Sequence, residues 1–281
     1  MTKPGPNPSI WDTKVLDPSA ILLTDKVAIV TGAAQGIGAA TALALARFGA
    51  HVAVCDRNEA GVRETAAAIE ALGRRAHVGV LDVRDEDAAS AFVRDVGEQF
   101  GAVDILVNNA GGGFWSPFVD VNAKGENALI RENFSSVTIF IRHTVPLMTR
   151  GGSIINITSI EGHRAGPGFA IYSAMKAAVT NLTFSLSMEL ASRKIRINCI
   201  APDMVPTPGD EGLGEASGAI DFAGIELTPW PETGSAHDCA AAAVYLASDM
   251  SRFMTGAALH IDGGTWAAHG WKVKTEGGFT L

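Results

Sequence analysis

The sequence predicts an α/β fold: a single-domain, doubly wound sheet of about seven parallel strands with helices on both faces. Seven short apolar segments recur along the chain, and most are nearly continuous rather than alternating, which is typical of strands covered on both faces. Helical segments lie between them, so each strand can return parallel to an earlier one through a helix. The predicted strands are residues 27–30, 51–55, 76–81, 104–108, 153–158, 195–200 and 258–261.

These elements delimit one domain, which we expect to span residues 25–265. Residues 1–24 contain four prolines and are expected to form an irregular N-terminal arm, and residues 266–281 a C-terminal extension. Residues 203–235 have no periodicity and are rich in glycine, proline and acidic residues, so we expect a substrate lid there. The predicted helices are residues 38–49, 59–73, 85–101, about 126–149 and 236–248, with another beginning near Tyr172.

The amino-acid composition limits the kinds of molecule that this protein is expected to bind. The 281 residues include 22 lysines and arginines against 30 aspartates and glutamates, a formal net charge of −8. No basic run could follow a phosphate backbone, so nucleic acid and anionic membranes are not expected partners. The three cysteines have no metal-ligand spacing, which indicates reduced thiols and no metal site. Without a bilayer-spanning apolar run or a signal peptide, we expect a cytoplasmic protein that acts on a small molecule.

A glycine-rich turn, TGAAQGIG at residues 31–38, connects the first predicted strand to the first helix. Glycines at such a turn let the backbone approach a diphosphate, and the helix N-terminus favours its negative charge. The spacing Gly-x3-Gly-x-Gly differs from the common dinucleotide fingerprint, and a tight turn without a ligand would also need glycines. The candidate dinucleotide contacts are Gly32, Gln35, Gly36, Ile37 and Gly38.

Asp56 ends the second predicted strand, eighteen residues after Gly38. A carboxylate at this position can accept hydrogen bonds from both ribose hydroxyls of an adenosine and repels a 2′-phosphate. A solvated turn residue is the alternative, and the neighbouring Arg57 could bind a phosphate. The glycine turn adds no second positive charge, so the sequence favours NAD over NADP.

Tyr172 and Lys176 lie one helical turn apart, so both side chains are expected on one face at the start of a helix. Ser159 ends the preceding strand. A free tyrosine has a pKa of about 10, too high for a base at neutral pH, and a nearby ammonium would lower it. Taken singly, each could be an ordinary helix residue. Together they can move a proton at an oxygen while hydride moves at the attached carbon.

Three segments, TGAAQGIG, NNAG at residues 108–111 and YSAMK at residues 172–176, occur in this order and at intervals that resemble the short-chain dehydrogenase/reductase family. The resemblance covers about residues 24–265. It implies hydride transfer between NAD(H) and a secondary alcohol or ketone, in a dimer or tetramer. The resemblance also implies that Asp82 and Val83 hold the adenine. The residues that it places beside the adenine-side ribose are Asn109, Ala110 and Gly111.

The resemblance further identifies the catalytic residues as Asn133, Ser159, Tyr172 and Lys176. Asn133 would interrupt its helix and hold a water, and Lys176 would also bind the nicotinamide ribose beside Tyr172. Pro202, Val205 and Thr207 would lie by the nicotinamide carboxamide. The family usually has glycine after this proline, whereas this chain has Asp203, a residue type that tolerates positive φ better than most.

Aromatic residues near these segments suggest a bulky, apolar substrate, steroid- or lipid-like, although core or subunit-interface positions would explain them equally well. They are Phe114, Trp115, Phe169, Phe222 and Trp230. We interpret Glu161, His163 and Arg164 as polar loop residues. The extension with Trp266 and Trp271 could cap a neighbouring subunit's site. Two alternatives stay open, an NADPH-dependent 3-oxoacyl thioester reductase and a non-catalytic NAD-binding sensor.

Overall fold

The computed structural model describes residues 17–210, 226 and 228–281. The predicted arm up to residue 16 and most of the predicted lid, including Phe222, lie outside the described residues. The seven predicted strands are present, with ends within two residues of the expected ones. They are β1 (Val27–Thr31), β2 (His51–Asp56), β3 (Ala76–Val80), β4 (Ile105–Asn108), β5 (Gly152–Ile157), β6 (Ile195–Pro202) and β7 (Ala258–Ile261).

All seven strands are parallel and lie in the order β3-β2-β1-β4-β5-β6-β7. The predicted doubly wound fold is confirmed. From β1 the chain first proceeds to β2 and β3 on one side, then crosses to β4 on the other side of β1. In sheets of this kind, the crevice beyond the carboxyl ends of the strands at such a reversal is where ligands bind.

Helices cover both faces of the sheet. Every residue of β1 is buried, with Ala28 and Val30 in one apolar cluster and Val27 and Ile29 in the other. This two-sided burial explains why the strand is apolar throughout. In the described part of the chain the α-helices are α1 (Gly36–Arg47), α2 (Glu59–Ala71), α3 (Glu86–Phe100), α4 (Ala123–Ile130), α5 (Ser136–Thr144), α6 (Ala170–Glu189), α7 (Ala236–Ala247) and α8 (Thr265–Ala268).

The prediction of one continuous helix over about 126–149 was wrong. A five-residue π-helical turn, Arg131–Ser135, separates α4 from α5, and a short 3-10 turn follows at Val145–Leu147. A π turn widens the helix locally, and such turns are frequent at functional sites. Asn133 lies in this turn with its side chain buried.

The C-terminal extension folds back onto its own domain. Its short strands β8 (Lys272–Val273) and β9 (Phe279–Thr280) form an antiparallel hairpin. The Val273 carbonyl accepts a hydrogen bond from the Glu226 amide at 2.9 Å. Trp266 stacks on His260 with ring centroids 5.1 Å apart, and His163 meets both rings edge-on. The extension therefore contacts the loop that follows Ser159.

Among the described residues, no helix combines the length and the apolar character that crossing a bilayer requires.

Candidate active site

A cleft of about 1070 Å³ opens beyond the carboxyl ends of the strands, at the reversal between β1 and β4. Predicted site residues from the carboxyl ends of six strands and from α6 meet in its wall. Only Gly38 and Asn133 of the predicted set lie outside it. The predicted residues in the wall are Gly32, Gln35, Gly36, Ile37, Asp56, Asp82, Val83, Asn109, Ala110, Gly111, Ser159, Tyr172, Lys176, Pro202, Val205 and Thr207.

The glycine turn after β1 requires its glycines for two different reasons. Gly32 and Gly36 have φ values of 65° and 56°, a region that residues with a side chain rarely adopt. Gly38 is needed for space, because a Cβ there would collide with the Gly32 carbonyl oxygen. Gly38 thus allows α1 to pack closely against the turn, rather than forming part of the cleft wall.

Asn109 supports this turn from the end of β4. Its Nδ2 donates to the carbonyl oxygens of Thr31 and Gly32 at 3.0 and 2.9 Å. Its backbone amide donates to Thr31 Oγ1 at 3.0 Å. The Asn109 side chain is therefore engaged in holding the turn, and its exposed part contributes only to the cleft wall.

Asp56 presents a fixed carboxylate at the end of β2. Its Oδ2 accepts a hydrogen bond from the Ala34 amide at 3.0 Å, and its Oδ1 accepts one from the Asn58 amide at 2.9 Å. Each carboxylate oxygen keeps a further lone pair for another donor. Arg57 lines the same part of the cleft with an exposed side chain.

Asp82, expected at the adenine, is paired with Arg84, a partner that the sequence did not indicate. Arg84 Nη2 lies 2.6 Å from Asp82 Oδ2, and Arg84 Nε lies 2.9 Å from Oδ1. This hydrogen-bonded guanidinium lowers the pKa of the Asp82 carboxyl. The carboxylate is thus committed to Arg84, while Asp82 and Val83 both line the cleft.

Lys176 is buried beneath Tyr172 on the same face of α6. Its Nζ donates to the Ile157 carbonyl oxygen of β5 at 3.0 Å and lies 5.4 Å from the centroid of the Tyr172 ring. Burial lowers the pKa of Lys176 to about 8, against the opposing charge of Glu132. Because this pKa stays near or above neutral pH, the residue places an ammonium next to the phenol.

Ser159 follows β5 in an extended conformation and is buried in the cleft wall. Its Oγ accepts a hydrogen bond from the Glu161 amide at 3.2 Å, which leaves the hydroxyl hydrogen for another acceptor. On the opposite wall, a Cβ on Gly113 would come within 3.2 Å of the Tyr172 ring. The glycine keeps that side of the phenol accessible.

The Asn133 side chain forms hydrogen bonds with the loop after β4. Its Nδ2 donates to the carbonyl oxygens of Gly112 and Leu129 at 2.8 and 3.1 Å, and its Oδ1 accepts from the Gly112 amide at 3.2 Å. A Cβ on Gly111 would lie 2.8 Å from Asn133 Oδ1 and 3.1 Å from Lys176 Nζ. Glycine at 111 therefore allows Asn133 and Lys176 to approach each other.

The loop after β6 forms another wall of the cleft, next to the glycine turn. Thr207 approaches the glycine turn so closely that a Cβ on Gly36 would lie 3.2 Å from the Thr207 Cβ. The positive φ in this loop, 50°, belongs to Met204, the residue after Asp203. Asp203 stabilises this bend, because its Oδ1 accepts from the Met204 amide at 3.0 Å.

Of the aromatic residues with described positions, Phe114 and Phe169 line the cleft. Trp115 packs against Gly168 instead, and Trp230 lies exposed near Gly263.

Sequence reasoning missed Glu161 as a wall residue and interpreted it as part of a polar loop. The available signal was its position two residues after Ser159. Arg164, in the same loop, pairs with both Glu161 and Asp203.

Comparisons with known proteins agree with this architecture. A family model described as Enoyl-(Acyl carrier protein) reductase matches residues 32–265. The 3-oxoacyl-(acyl-carrier-protein) reductase of Thermotoga maritima is 36% identical over 244 residues, which cover 86% of this chain and 98% of that protein.

Two solved structures of NAD complexes are also similar to this chain. The carveol dehydrogenase from Mycobacterium avium is 29% identical with a TM-score of 0.80, covering 87% of this chain and 99% of that one. A short chain dehydrogenase from Mycobacterium paratuberculosis is 30% identical with a TM-score of 0.81, with the same coverage of 87% and 99%. The fold, the extent of the family match and these relatives show that the chain belongs to the short-chain dehydrogenase/reductase family and is an oxidoreductase.

Proposed function

We propose that this protein transfers hydride between NAD(H) and a secondary alcohol or the corresponding ketone. The observation that carries the proposal is the placement of Tyr172 above the buried Lys176 ammonium, in the same cleft as Ser159 and the glycine turn. A proton donor beside a dinucleotide site is needed for turnover and serves no purpose in a nucleotide sensor. This arrangement favours an enzyme over the non-catalytic alternative.

In the proposed mechanism, each residue has a separate task. The Ser159 hydroxyl donates a hydrogen bond to the substrate oxygen and holds it against the Tyr172 phenol. Tyr172 takes the proton during oxidation and returns it during reduction, and the Lys176 ammonium lowers the phenol's pKa for that step. A nicotinamide held in this cleft would supply or accept the hydride at the substrate carbon. The Asn133 side chain positions the Gly111–Gly113 loop against Lys176.

The cleft fits a dinucleotide. The glycine turn lies at the strand-order reversal and ends at the start of α1, which favours a diphosphate there. Asp56 offers two oxygens that backbone amides already hold in place, a suitable acceptor for two ribose hydroxyls. We propose NAD rather than NADP because a 2′-phosphate would approach this carboxylate directly.

Replacement of Asp56 tests the choice of cofactor. For Asp56→Ala, we expect the KM for NAD to rise about tenfold to a hundredfold, since hydrogen bonds to a charged group are lost. Activity with NADP should rise, because the repelling charge is removed while Arg57 stays. The measurement is kcat/KM with each cofactor, with Asp120→Ala, an exposed residue outside the cleft, as control. A wild-type preference for NADP would contradict the role given to Asp56.

The substrate end of the cleft supports a bulky and largely apolar alcohol. Five apolar side chains line the cleft beyond the place where we expect the nicotinamide. They are Phe114, Leu129, Phe169, Met204 and Val205. A screen of NAD-linked oxidation across steroid, sugar and aliphatic alcohols tests this proposal. We expect turnover to be highest with the steroid or larger aliphatic alcohols. NAD binding without turnover of any alcohol would favour the sensor instead.

A 3-oxoacyl thioester reductase is the second candidate, favoured by the Thermotoga maritima relative of that name. The same cleft and the same Ser159, Tyr172 and Lys176 would serve it. The two candidates differ in cofactor and substrate, so NADPH-linked reduction of a 3-oxoacyl thioester, compared with NAD-linked alcohol oxidation, separates them. A higher kcat/KM in the first assay would replace the main proposal.

We also propose a homo-oligomer, a dimer or tetramer. The outer face of α6 carries Phe184 and Met188, which are 45% and 79% exposed. Apolar side chains of this size on one helix face favour a subunit contact. Sedimentation velocity measures the state, and a monomer at micromolar concentration would contradict the proposal.

A further inference from the structure

The loop after Ser159 is a single hydrogen-bonded turn. The Gly162 amide donates to the Ser159 carbonyl oxygen at 3.0 Å. The Ile160 carbonyl oxygen accepts from the amides of His163 and Arg164 at 2.8 and 3.1 Å. Ser159 lines the cleft, whereas His163, at the far end of the turn, lies outside the cleft wall. Because these bonds connect the whole turn, a change in the position of His163 would be passed on to Ser159.

The inner side of this turn lies against α6. A Cβ on Gly162 would come within 2.9 Å of the Lys176 carbonyl carbon and 3.0 Å of the Ala177 nitrogen. The turn therefore packs directly on the helix that carries Tyr172 and Lys176. A displacement of the turn would change the distance between Ser159 and the Tyr172 phenol, on which the proposed mechanism depends.

Two aromatic rings from the C-terminal part of the chain hold the outer side of the turn. The His163 ring centroid lies 4.7 Å from that of His260 and 5.8 Å from that of Trp266. Burial lowers the pKa of both histidines, so their rings are neutral at pH 7 and pack without charge repulsion. His163 Nε2 and His260 Nδ1 are buried without a hydrogen-bond partner among the described residues. Ring packing, and no hydrogen bond at these atoms, therefore holds His163 in place.

Trp266 is itself fixed to the end of β7. Its amide donates to Asp262 Oδ2 at 2.7 Å, and the Gly264 amide donates to Asp262 Oδ1 at 2.9 Å. Asp262 is buried and directly follows the strand. His260, on which the indole stacks with an interplanar angle of 5°, belongs to the same strand. The contact between Trp266 and His163 therefore connects the turn after Ser159 to the sheet.

The chain around Trp266 also contacts the interval for which a lid was predicted. The Trp230 amide donates to the Gly263 carbonyl oxygen at 2.9 Å, and the Glu226 amide donates to the Val273 carbonyl oxygen at 2.9 Å. The C-terminal part of the chain thus touches both segments that we expect to border the substrate, the turn after β5 and the end of the 203–235 interval.

We propose that Trp266 and His163 are positioning residues for substrate binding, because the contact between their rings holds Ser159 at the distance from Tyr172 that a bound alcohol requires. The C-terminal extension then serves the active site of its own chain and not that of a neighbouring subunit. This inference rests on the proposed alcohol oxidation. A displacement of about 1 Å can cost a reaction about a hundredfold in rate, so a contact outside the cleft is enough to matter.

The test compares variants that remove either ring. They are Trp266→Ala, His163→Ala and the double variant, with Trp266→Phe to restore an aromatic ring at the contact. The control, Trp271→Ala, removes an exposed indole from the same extension. The measurements are KM and kcat for the best alcohol at saturating NAD, and the Kd of NADH from the fluorescence of the dinucleotide itself. KM does not depend on the fraction of active enzyme, so partial misfolding of a variant does not mimic the effect.

We expect KM for the alcohol to rise about tenfold in Trp266→Ala and in His163→Ala, with kcat changed less than about threefold. The Kd of NADH should stay within about twofold of the wild-type value, since the glycine turn and Asp56 are untouched. The double variant should have about the same KM as either single variant, because the two side chains act through one contact. Trp266→Phe should recover most of the loss, and Trp271→Ala should behave as the wild type.

Three outcomes overturn the inference. One is a KM within about twofold of the wild-type value in either single variant. Another is a double variant whose KM rises by the product of the two single effects, which indicates independent side chains. The third is an equal rise in Trp271→Ala. In all three the wild type still oxidises the alcohol, so the proposed function stands. A wild type that turns over no alcohol of the panel would instead contradict the proposed function itself.

Discussion

Replacement of Tyr172 by phenylalanine is expected to lower kcat about a thousandfold while the protein still binds NAD. The substitution removes the phenolic hydroxyl and keeps the ring, which lies edge-on to Phe169 at a centroid distance of 6.3 Å. Proton transfer by a positioned side chain contributes about a hundredfold to ten-thousandfold to a rate, so this single oxygen accounts for the loss. Steady-state kinetics with the best alcohol and fluorescence titration of the cofactor measure the two quantities separately.

The chain supplies a matched control for this experiment. Its only other tyrosine, Tyr245, is half-buried in α7 and outside the cleft. Tyr245→Phe removes the same atom elsewhere and should leave kcat within about twofold, as a substitution away from the reacting groups does. A Tyr172→Phe variant that kept most of its turnover would show that another group moves the proton.

Replacement of Lys176 by methionine should separate activity from stability. Methionine keeps most of the buried stem and removes the ammonium beside the phenol. We expect kcat/KM at pH 7 to fall at least about a hundredfold, because in the proposed mechanism this ammonium lowers the phenol's pKa and binds the nicotinamide ribose. The remaining activity should rise with pH over a wider range than in the wild type, since more base is needed to ionise the phenol.

The free energy of unfolding of the Lys176→Met variant, in contrast to its activity, is not expected to fall at pH 7. The pKa of Lys176 is lowered from 10.5 to about 8 by burial. Between these values the unfolded chain binds more protons than the folded chain, so wild-type stability rises with pH across that window. Below pH 8 the full cost of the buried ammonium is present, and the shift corresponds to roughly 3 kcal/mol.

Lys176→Met removes that cost, although it also leaves the Ile157 carbonyl without its donor. The variant should be no less stable than the wild type at pH 7 and should lack the rise between pH 8 and 10. Urea unfolding at several pH values measures this, with Lys124→Met on the exposed face of α4 as control. A variant that is destabilised at pH 7 and keeps the wild-type pH dependence would contradict the assigned shift.

The strands were predictable because most are short, nearly continuously apolar and bounded by polar residues. The glycine turn and Asp56 were predictable as parts of one cleft because parallel strands bring their carboxyl ends to the same edge of the sheet. The π turn at Arg131–Ser135 was not, since one extra residue in a helical turn hardly alters the apolar periodicity. The resemblance named Asn133 there, but not the contacts of its side chain with Gly112 and Leu129.

The ion pairs that Arg164 forms with Glu161 and Asp203 could not be predicted from the sequence. Glu161 and Asp203 are separated in the sequence by one helix–strand unit, α6 and β6, and only the adjacency of β5 and β6 places them around Arg164. The positive φ of Met204 was likewise not predicted; at this bend Asp203 Oδ1 accepts a hydrogen bond from the Met204 amide. Contacts of this kind depend on which loops become neighbours, and local sequence carries little information about that.

The stacking of Trp266 on His260 and His163 has a practical consequence for work with the purified protein. The last sixteen residues begin at a ring that touches the loop after Ser159, and their hairpin is hydrogen-bonded to Glu226. An affinity tag, a fluorescent fusion or a surface attachment at the carboxyl end would therefore be joined to a segment that contacts the border of the proposed substrate site.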